Sequence, residues 1–381
     1  MKPLPPGSTI GIVGGGQLGR MSAMAAARLG YRCHILTDDA LSPAAQVASS
    51  ITLGDYNDLA ALEEFSERCD VIAFEFENID AEGLELLRAH RPVRPSPEIL
   101  RIGQDRIAEK TFLNQTDIAT APWREVNSLA ELAAAVAELG LPAVLKTTRL
   151  GYDGKGQALL RGVDDLESAF LDLSPKPLIL EGFIDFACEI SVIVARNPAG
   201  QIAVFDAVQN RHKDHILDLT LAPAPIDPLI AVRAQTYARN LAEALGLEGL
   251  LALELFVDRD GQVLANEMAP RPHNSGHWTI DACIVSQFEM HIRAVAGLPL
   301  PPATRHSDAV MKNLVGPEDL ALWPEILATP GLIPHHYGKA EARPGRKMGH
   351  VTVLFPYGAL PGDFGINDAL GALATTDGSL S

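Results

Sequence analysis

The sequence predicts an α/β protein of more than one domain, and three observations predict it. Between residues 9 and 94 short apolar runs alternate with helix-patterned segments, the signature of parallel strands joined by crossover helices. A proline-rich stretch, Arg91-Pro-Val-Arg-Pro-Ser-Pro97, breaks that alternation. Beyond it lie a small α/β unit built around a glycine-rich loop and a larger one ending in a hairpin that carries acids. At 381 residues the chain is too long for one ordinary core, so two or three domains are expected.

Taken in order, residues 10–13 read as a strand, 17–29 as a helix, 32–36 as a strand, 59–67 as a helix and 71–75 as a strand. After the break, helices are expected over 105–114 and over the alanine-rich 128–139, with Ser128 as N-cap and Gly140 as stop. A strand at 143–146, a glycine loop at 151–156 and a returning strand at 157–160 form the small unit, which closes near 178–181. The larger unit has strands near 189–195 and 202–208, a helix over 229–245, and then the acid hairpin. Prolines are frequent after residue 298, and a short β-rich piece is expected over 338–356. The segment 358–381, rich in Gly, Ala, Ser and Thr, reads as a weakly ordered tail. The expected division is 1–104, 105–184 and 185–381, the last including the β-rich piece, taken as about 300–357, and the tail.

Composition narrows the function. The 47% of apolar residues marks a globular chain, and 31 basic against 48 acidic residues give a net charge of −17. Such a surface repels nucleic acid and anionic membranes, although a local cluster can still hold a small anion. Cys33, Cys69, Cys188 and Cys283 lie far apart without metal-ligand spacing, which fits reduced thiols in a cytoplasm. Neither a signal peptide nor a run of membrane-spanning length is read in the sequence.

Four motifs carry chemistry. Gly14-Gly-Gly-Gln-Leu-Gly19 follows a strand and opens a helix, with Asp38 at the distance of a ribose-binding acid. A nicotinamide dinucleotide, some other phosphate and a purely structural turn all satisfy it, since amides at a helix N-terminus hold any anion. Lys146 ends an apolar strand just before the glycine loop, and a buried-strand lysine is costly unless it meets an anion, so the pair reads as a phosphate site or, failing that, as a solvated hairpin. Leu178-Ile-Leu-Glu181-Gly182-Phe183-Ile184, with Glu189, makes an apolar slot with two acids, suited to an adenine edge and ribose hydroxyls, although each acid alone also reads as a surface residue. In the hairpin, a four-residue turn Asp258-Arg-Asp-Gly261 would set Val257 opposite Gln262 and Glu254 opposite Ala265. Glu267 would then lie one diagonal step on, its Cβ roughly 7 to 8 Å from that of Glu254. Such a pair suits a hard cation with a nucleoside triphosphate, or is two solvated strand carboxylates. The same count turns Asn266 away unless a β-bulge restores it.

In this order the strings resemble the ATP-grasp ligases, and within them the family that makes N5-carboxyaminoimidazole ribonucleotide for purine biosynthesis. They are the 14–19 loop, Phe74-Glu-Phe-Glu-Asn78, Gln104-Asp-Arg106, Gly151-Tyr-Asp-Gly-Lys-Gly156, Asn266-Glu267, Pro270-Arg-Pro-His-Asn-Ser-Gly-His-Trp278 and Arg346-Lys-Met-Gly-His350. The resemblance covers residues 10 to about 357 and implies a Rossmann-like N-terminal domain, a small lid domain and a larger domain. It assigns ATP to Arg106, Lys146, Gly151, Tyr152, Asp153, Gly154, Lys155, Gly156, Gln157, Glu181, Gly182, Phe183, Ile184, Glu189, His212, Asn266 and Glu267. Magnesium falls to Glu254 and Glu267, with no biotin. Aminoimidazole ribonucleotide falls to Gly16, Gln17, Leu18, Glu75, Tyr152, Arg271, Asn274, Ser275, Lys339, Arg346 and Lys347. The residues expected to act on the reacting groups are Asp153, Arg271, His273 and Lys347. The implied reaction joins bicarbonate to the ribonucleotide at the expense of ATP, by a cytoplasmic homodimer. The formate-dependent glycinamide ribonucleotide transformylase, a biotin carboxylase and, more remotely, a nicotinamide oxidoreductase are the competing readings.

Overall fold

A computed structural model describes residues 2–149 and 156–374. Four short strands open the chain: β1 (Thr9–Val13), β2 (Arg32–Thr37), β3 (Ser50–Leu53) and β4 (Val71–Phe74). They pair in parallel in the order β3-β2-β1-β4, as alternation with helices requires. Helix Gln17–Arg28 packs Ala23 and Ala26 with Ile10 and Ile35 on one face, and helix Leu59–Glu67 packs Leu62 and Phe65 with Leu36 and Phe74 on the other. A further helix, Ala81–His90, escaped the sequence reading, as did β3. The proline-rich break is itself part of the fold: Val93 bridges Ile72 in parallel, and Ser96 then caps helix Pro97–Gly103.

The second sheet is antiparallel, in the order β5 (Trp123–Val126), β8 (Leu178–Gly182), β6 (Ala143–Thr147), β7 (Gln157–Leu160). Helices Leu129–Leu139 and Leu166–Leu173 cover one face. Ser128 accepts from the Glu131 amide at 3.2 Å, and Gly140 ends the helix at φ +84°, where the sequence placed both signals. Along β6 burial alternates, so Ala143 and Leu145 enter the core while Lys146 faces the opposite side.

The third sheet has nine strands: β9 (Phe186–Arg196), β10 (Ile202–Val204), β11 (Val208–Lys213), β12 (Ile216–Ala222), β13 (Gly249–Asp258), β14 (Val263–Ala269), β15 (Asp308–Val315), β16 (Leu332–His336) and β17 (Lys347–Phe355). The order is β14-β13-β9-β11-β12-β15-β17-β16, with β10 paired to β9. Val192, Val194, Leu251 and Leu253 meet helix Pro228–Ala244 on one face. Ile193, Ala195, Leu250 and Ala252 meet helix Gln287–Val295 on the other. Both faces are covered, which is why these strands read as unbroken apolar runs.

Four expectations are corrected. The run 202–208 is two strands, because Asp206 and Ala207 interrupt the pairing with β9 before β11 begins. The β-rich piece is wider than 338–356 and continues the large sheet through β15 against β12. Of the supposed tail, Asp363–Leu370 is a helix whose Ile366 and Leu370 are buried in a cluster with Val310, Val351 and Val353. In the acid hairpin, Val257 faces Val263 rather than Gln262. The turn is tighter than expected: the Asp258 amide bonds the Gln262 carbonyl at 3.0 Å, and Gly261 takes φ +77°.

Candidate active site

The corrected hairpin alters the acid pair. Leu255 pairs with Ala265 and Glu254 pairs directly with Glu267, so one extra residue, Asn266, is accommodated in β14. Next to it the Ala265 amide, which faces away from β13, donates to the Ala119 carbonyl at 2.7 Å. Glu254 and Glu267 therefore stand opposite each other, not on a diagonal, and Asn266 reaches the same cavity.

That cavity encloses about 1220 Å³ where the three sheets meet. It gathers most of the residues singled out in the sequence. Gly16, Gln17, Leu18 and Glu75 come from the parallel sheet, and Arg106, Lys146 and Gln157 from the helix and lid beside it. The large sheet and the loop after β14 supply Glu189, His212, Glu254, Asn266, Glu267, Arg271, His273, Asn274 and Lys347. Glu181, Ser275, Lys339, Arg346, Gly156 and Gly182 to Ile184 do not line it. Gly151, Tyr152, Asp153, Gly154 and Lys155 lie outside the described residues.

At the nucleotide-like end, Lys146 Nζ bonds Glu181 at 3.0 Å, and the buried Lys110 reaches the same carboxylate at 3.4 Å. Burial, helped by the nearby Arg106 and Lys110 charges, lowers the Lys146 pKa, and Glu181 opposes it. Glu181 in turn overcomes its own burial and is held below the usual range by both lysines. Its carboxylate is thus a counter-ion beneath Lys146 rather than a surface group. Arg106 contacts Glu267 at 3.4 Å. Glu189 and His212, on neighbouring strands, share a hydrogen bond; against burial, the Glu189 and Glu254 carboxylates raise the His212 pKa.

The acids behave as a cation pair should. Burial and the facing Glu254 carboxylate push Glu267 up. In Glu254, burial is outweighed by His273, which bonds it at 2.9 Å, and by His212 and Arg271. Two facing carboxylates with the Asn266 side chain lining the same cavity offer oxygen donors, which fit a hard divalent cation better than a transition metal.

Beyond β14, Gln287 clamps His273 through its backbone, accepting from its amide at 3.0 Å and donating to its carbonyl at 2.7 Å. The His273 ring meets Ser275 Oγ at 2.8 Å, and Ser275 is fully buried against Ser191 at 2.7 Å. Asn274 and Asn313 exchange two amide hydrogen bonds, 3.0 and 2.8 Å. Arg271 pairs with Glu77 at 3.1 Å, and Gln104 holds the Glu77 and Ile79 carbonyls at 2.6 and 2.7 Å. Lys339, whose pKa burial lowers to about 8, donates to the Lys347 carbonyl at 2.7 Å. Ser275 and Lys339 thus shape the wall from behind.

At the far end the glycine loop already carries an anion. Glu75 accepts from the Gly16 amide and, at 2.5 Å, from the Gly19 amide. Gly14, at φ +121°, leaves room for it, since a Cβ there would lie 2.4 Å from Glu75 Cγ. The amides that a dinucleotide pyrophosphate would need are occupied, and Asp38 points to solvent. Glu77 lay within the 74–78 string with no role assigned to it, whereas Lys110, Glu109, Gln287 and Asn313 were not picked out by sequence. They sit on helices or strands with no motif, and only the buried partner reveals them.

An antiparallel lid sheet facing a larger sheet whose hairpin bears paired acids, behind a parallel N-terminal sheet, defines an ATP-grasp enzyme. Family models agree: the ribonucleotide synthetase preATP-grasp domain matches residues 7–104, the ATP-grasp domain 111–288, and the phosphoribosylaminoimidazole carboxylase C-terminal domain 309–357. The N5-carboxyaminoimidazole ribonucleotide synthase of Brucella melitensis is 52% identical over 93% of this chain and 98% of its own length. The Staphylococcus aureus N5-carboxyaminoimidazole synthetase complexed with ADP superposes with a TM-score of 0.92 at 36% identity, covering 98% and 99% of the two chains. The Aspergillus clavatus enzyme in complex with ADP and 5-aminoimidazole ribonucleotide gives 0.89 at 31%, covering 97% and 98%. The chain belongs to the N5-carboxyaminoimidazole ribonucleotide synthase family.

Proposed function

We propose that the protein is an ATP-dependent carbon–nitrogen ligase that carboxylates 5-aminoimidazole ribonucleotide with bicarbonate, giving N5-carboxyaminoimidazole ribonucleotide, ADP and phosphate in purine biosynthesis. The observation that carries this reading is convergence on one cavity of Lys146, the Glu254–Glu267 pair and the Arg271–His273 segment, from separate parts of the chain. ATP lies at the Lys146 end, contacted by Arg106, Gln157, Glu189, His212 and Asn266, and the resemblance sets its adenine against residues 181–184, beside the cavity. Glu254 and Glu267 would hold magnesium, which would supply charge neutralisation for the phosphates.

Bicarbonate is a weak nucleophile and must be held in line with the γ-phosphorus, a task for Arg271 and His273. Its oxygen attacks, ADP leaves, and carboxyphosphate forms. Carboxyphosphate releases carbon dioxide and phosphate, and the exocyclic amine attacks the carbon while losing a proton to Asp153. Both reactive species are lost to water, so the lid must close over them. The ribonucleotide occupies the far end, near Gly16 to Leu18, Glu75 and Asn274, with its phosphate toward Lys347; the resemblance adds Tyr152, Lys339 and Arg346 to its contacts. The division 1–104, 105–184 and 185–381, and a homodimer, belong to the same proposal and rest on the resemblance. Among the described residues no helix is long and apolar enough to cross a membrane.

ADP release decides the substrate. Strict dependence on bicarbonate plus aminoimidazole ribonucleotide supports the reading, whereas turnover with formate plus glycinamide ribonucleotide, or with biotin, replaces it. Asp153→Asn is expected to cut turnover and leave nucleotide binding nearly intact; unchanged turnover removes Asp153 from the mechanism.

A further inference from the structure

β14 is the outer strand of the large sheet, yet its free edge is satisfied. The Ala265 amide donates to the Ala119 carbonyl at 2.7 Å, and the Met268 amide donates to Glu109 Oε1 at 2.6 Å. Lys110 Nζ donates to the Asn266 carbonyl at 3.5 Å. In an unbroken strand, amides three residues apart point to opposite edges. Ala265 and Met268 are three apart and both turn away from β13, which requires the extra residue between them. Glu109 and Lys110 therefore grip the two sides of the bulge.

The geometry points to Glu109 and Lys110 as positioning residues of the cation site: they pin the β14 bulge and so keep Glu267 opposite Glu254. This rests on the reading of that pair as cation ligands. Ironing out the bulge would place Asn266 opposite Glu254 and turn Glu267 to the other face. Lys110 adds a second link, since its ammonium also lies 3.4 Å from Glu181 on β8. One buried lysine thus joins the lid strand to the metal strand. Both residues lie on helix Arg106–Gln115, and Glu109 and Lys110 are 2% and 1% exposed.

The test uses Mn²⁺ as probe on the full chain with ADP present, followed by the EPR signal of free Mn²⁺ after subtraction of ADP alone. Glu109→Leu and Lys110→Met are expected to weaken Mn²⁺ binding about 10- to 100-fold, and Glu109→Gln, which keeps an acceptor for the Met268 amide, by less than about threefold. Lys110→Gln stands in if Lys110→Met does not fold. Variants that lower the unfolding midpoint but bind Mn²⁺ like the parent overturn the proposal, because burial alone then explains both residues. Glu267→Gln is the control: if it leaves Mn²⁺ binding unchanged, the cation reading falls, and this inference with it.

Discussion

Lys146 and Lys110 serve the same Glu181 carboxylate, but only one was visible in the sequence. Lys146 interrupts an apolar strand, and an ammonium there demands an anion. Lys110 sits among Glu109, Asn114 and Gln115 in a helix that reads as a polar surface, and its burial follows only from two sheets closing on that helix. Asn266 is a related case, since the groups that bond the backbone around it, Ala119, Glu109 and Lys110, all come from far earlier in the chain. A second consequence at this scale concerns His291, which is buried with its Nδ1 unpartnered and whose pKa burial lowers to about 4. The unfolded chain takes up a proton there below about 6.5, while the native protein resists until about 4. Stability contributed by the neutral ring is therefore present above that window and lost as pH falls through it, by roughly 3 kcal/mol at pH 4. Urea unfolding of His291→Leu at pH 7 and 4.5 should show a smaller acid loss than the parent; equal losses would clear His291 of the effect.

At the level of elements, periodicity and caps located most helices, including Ser128 and Gly140 at the ends of one of them. Strands with polar members escaped. In β15 the sequence Asp-Ala-Val-Met-Lys-Asn-Leu-Val carries Lys312 and Asn313, both buried, and their partners Asp218 and the Leu217 carbonyl lie on β12. Without the partner strand those residues argue for a surface loop. The loop after β14 was legible as a motif, though not the clamp that holds it. A Cβ on Gly276 would lie 2.5 Å from Gln287 Oε1, and Gln287 is the side chain bonded to both backbone groups of His273. Gly276→Ala should displace that clamp and loosen His273, lowering kcat about 10- to 100-fold while ATP binding changes little. Steady-state kinetics with direct nucleotide titration separates the two, and a parent-like kcat would show that the clamp is dispensable.

For the whole molecule, the class of fold was readable from alternation and loop chemistry, whereas the extent of the large sheet was not, because sequence does not say which distant strands pair. The C-terminal helix Asp363–Leu370 shows how far the sheet's influence reaches, burying Ile366 and Leu370 over β15 and β17. Leu370→Ala should cost about 2 to 5 kcal/mol of stability by urea unfolding. A cost below 0.5 kcal/mol would return that helix to the status of a surface appendage. On a chain of net charge −17, Arg106, Lys146, Arg271 and Lys347 line the cavity and offer anionic substrates a local cluster of cations. The single large sheet also has a pharmacological meaning. Glu254, Glu189, His212 and Lys347 ride on β13, β9, β11 and β17 of one hydrogen-bonded lattice, while Lys146 rides on the separate lid sheet. The lattice holds the cation end and the Lys347 end at one separation, so a bisubstrate inhibitor anchored at both needs a single linker length whichever position the lid adopts.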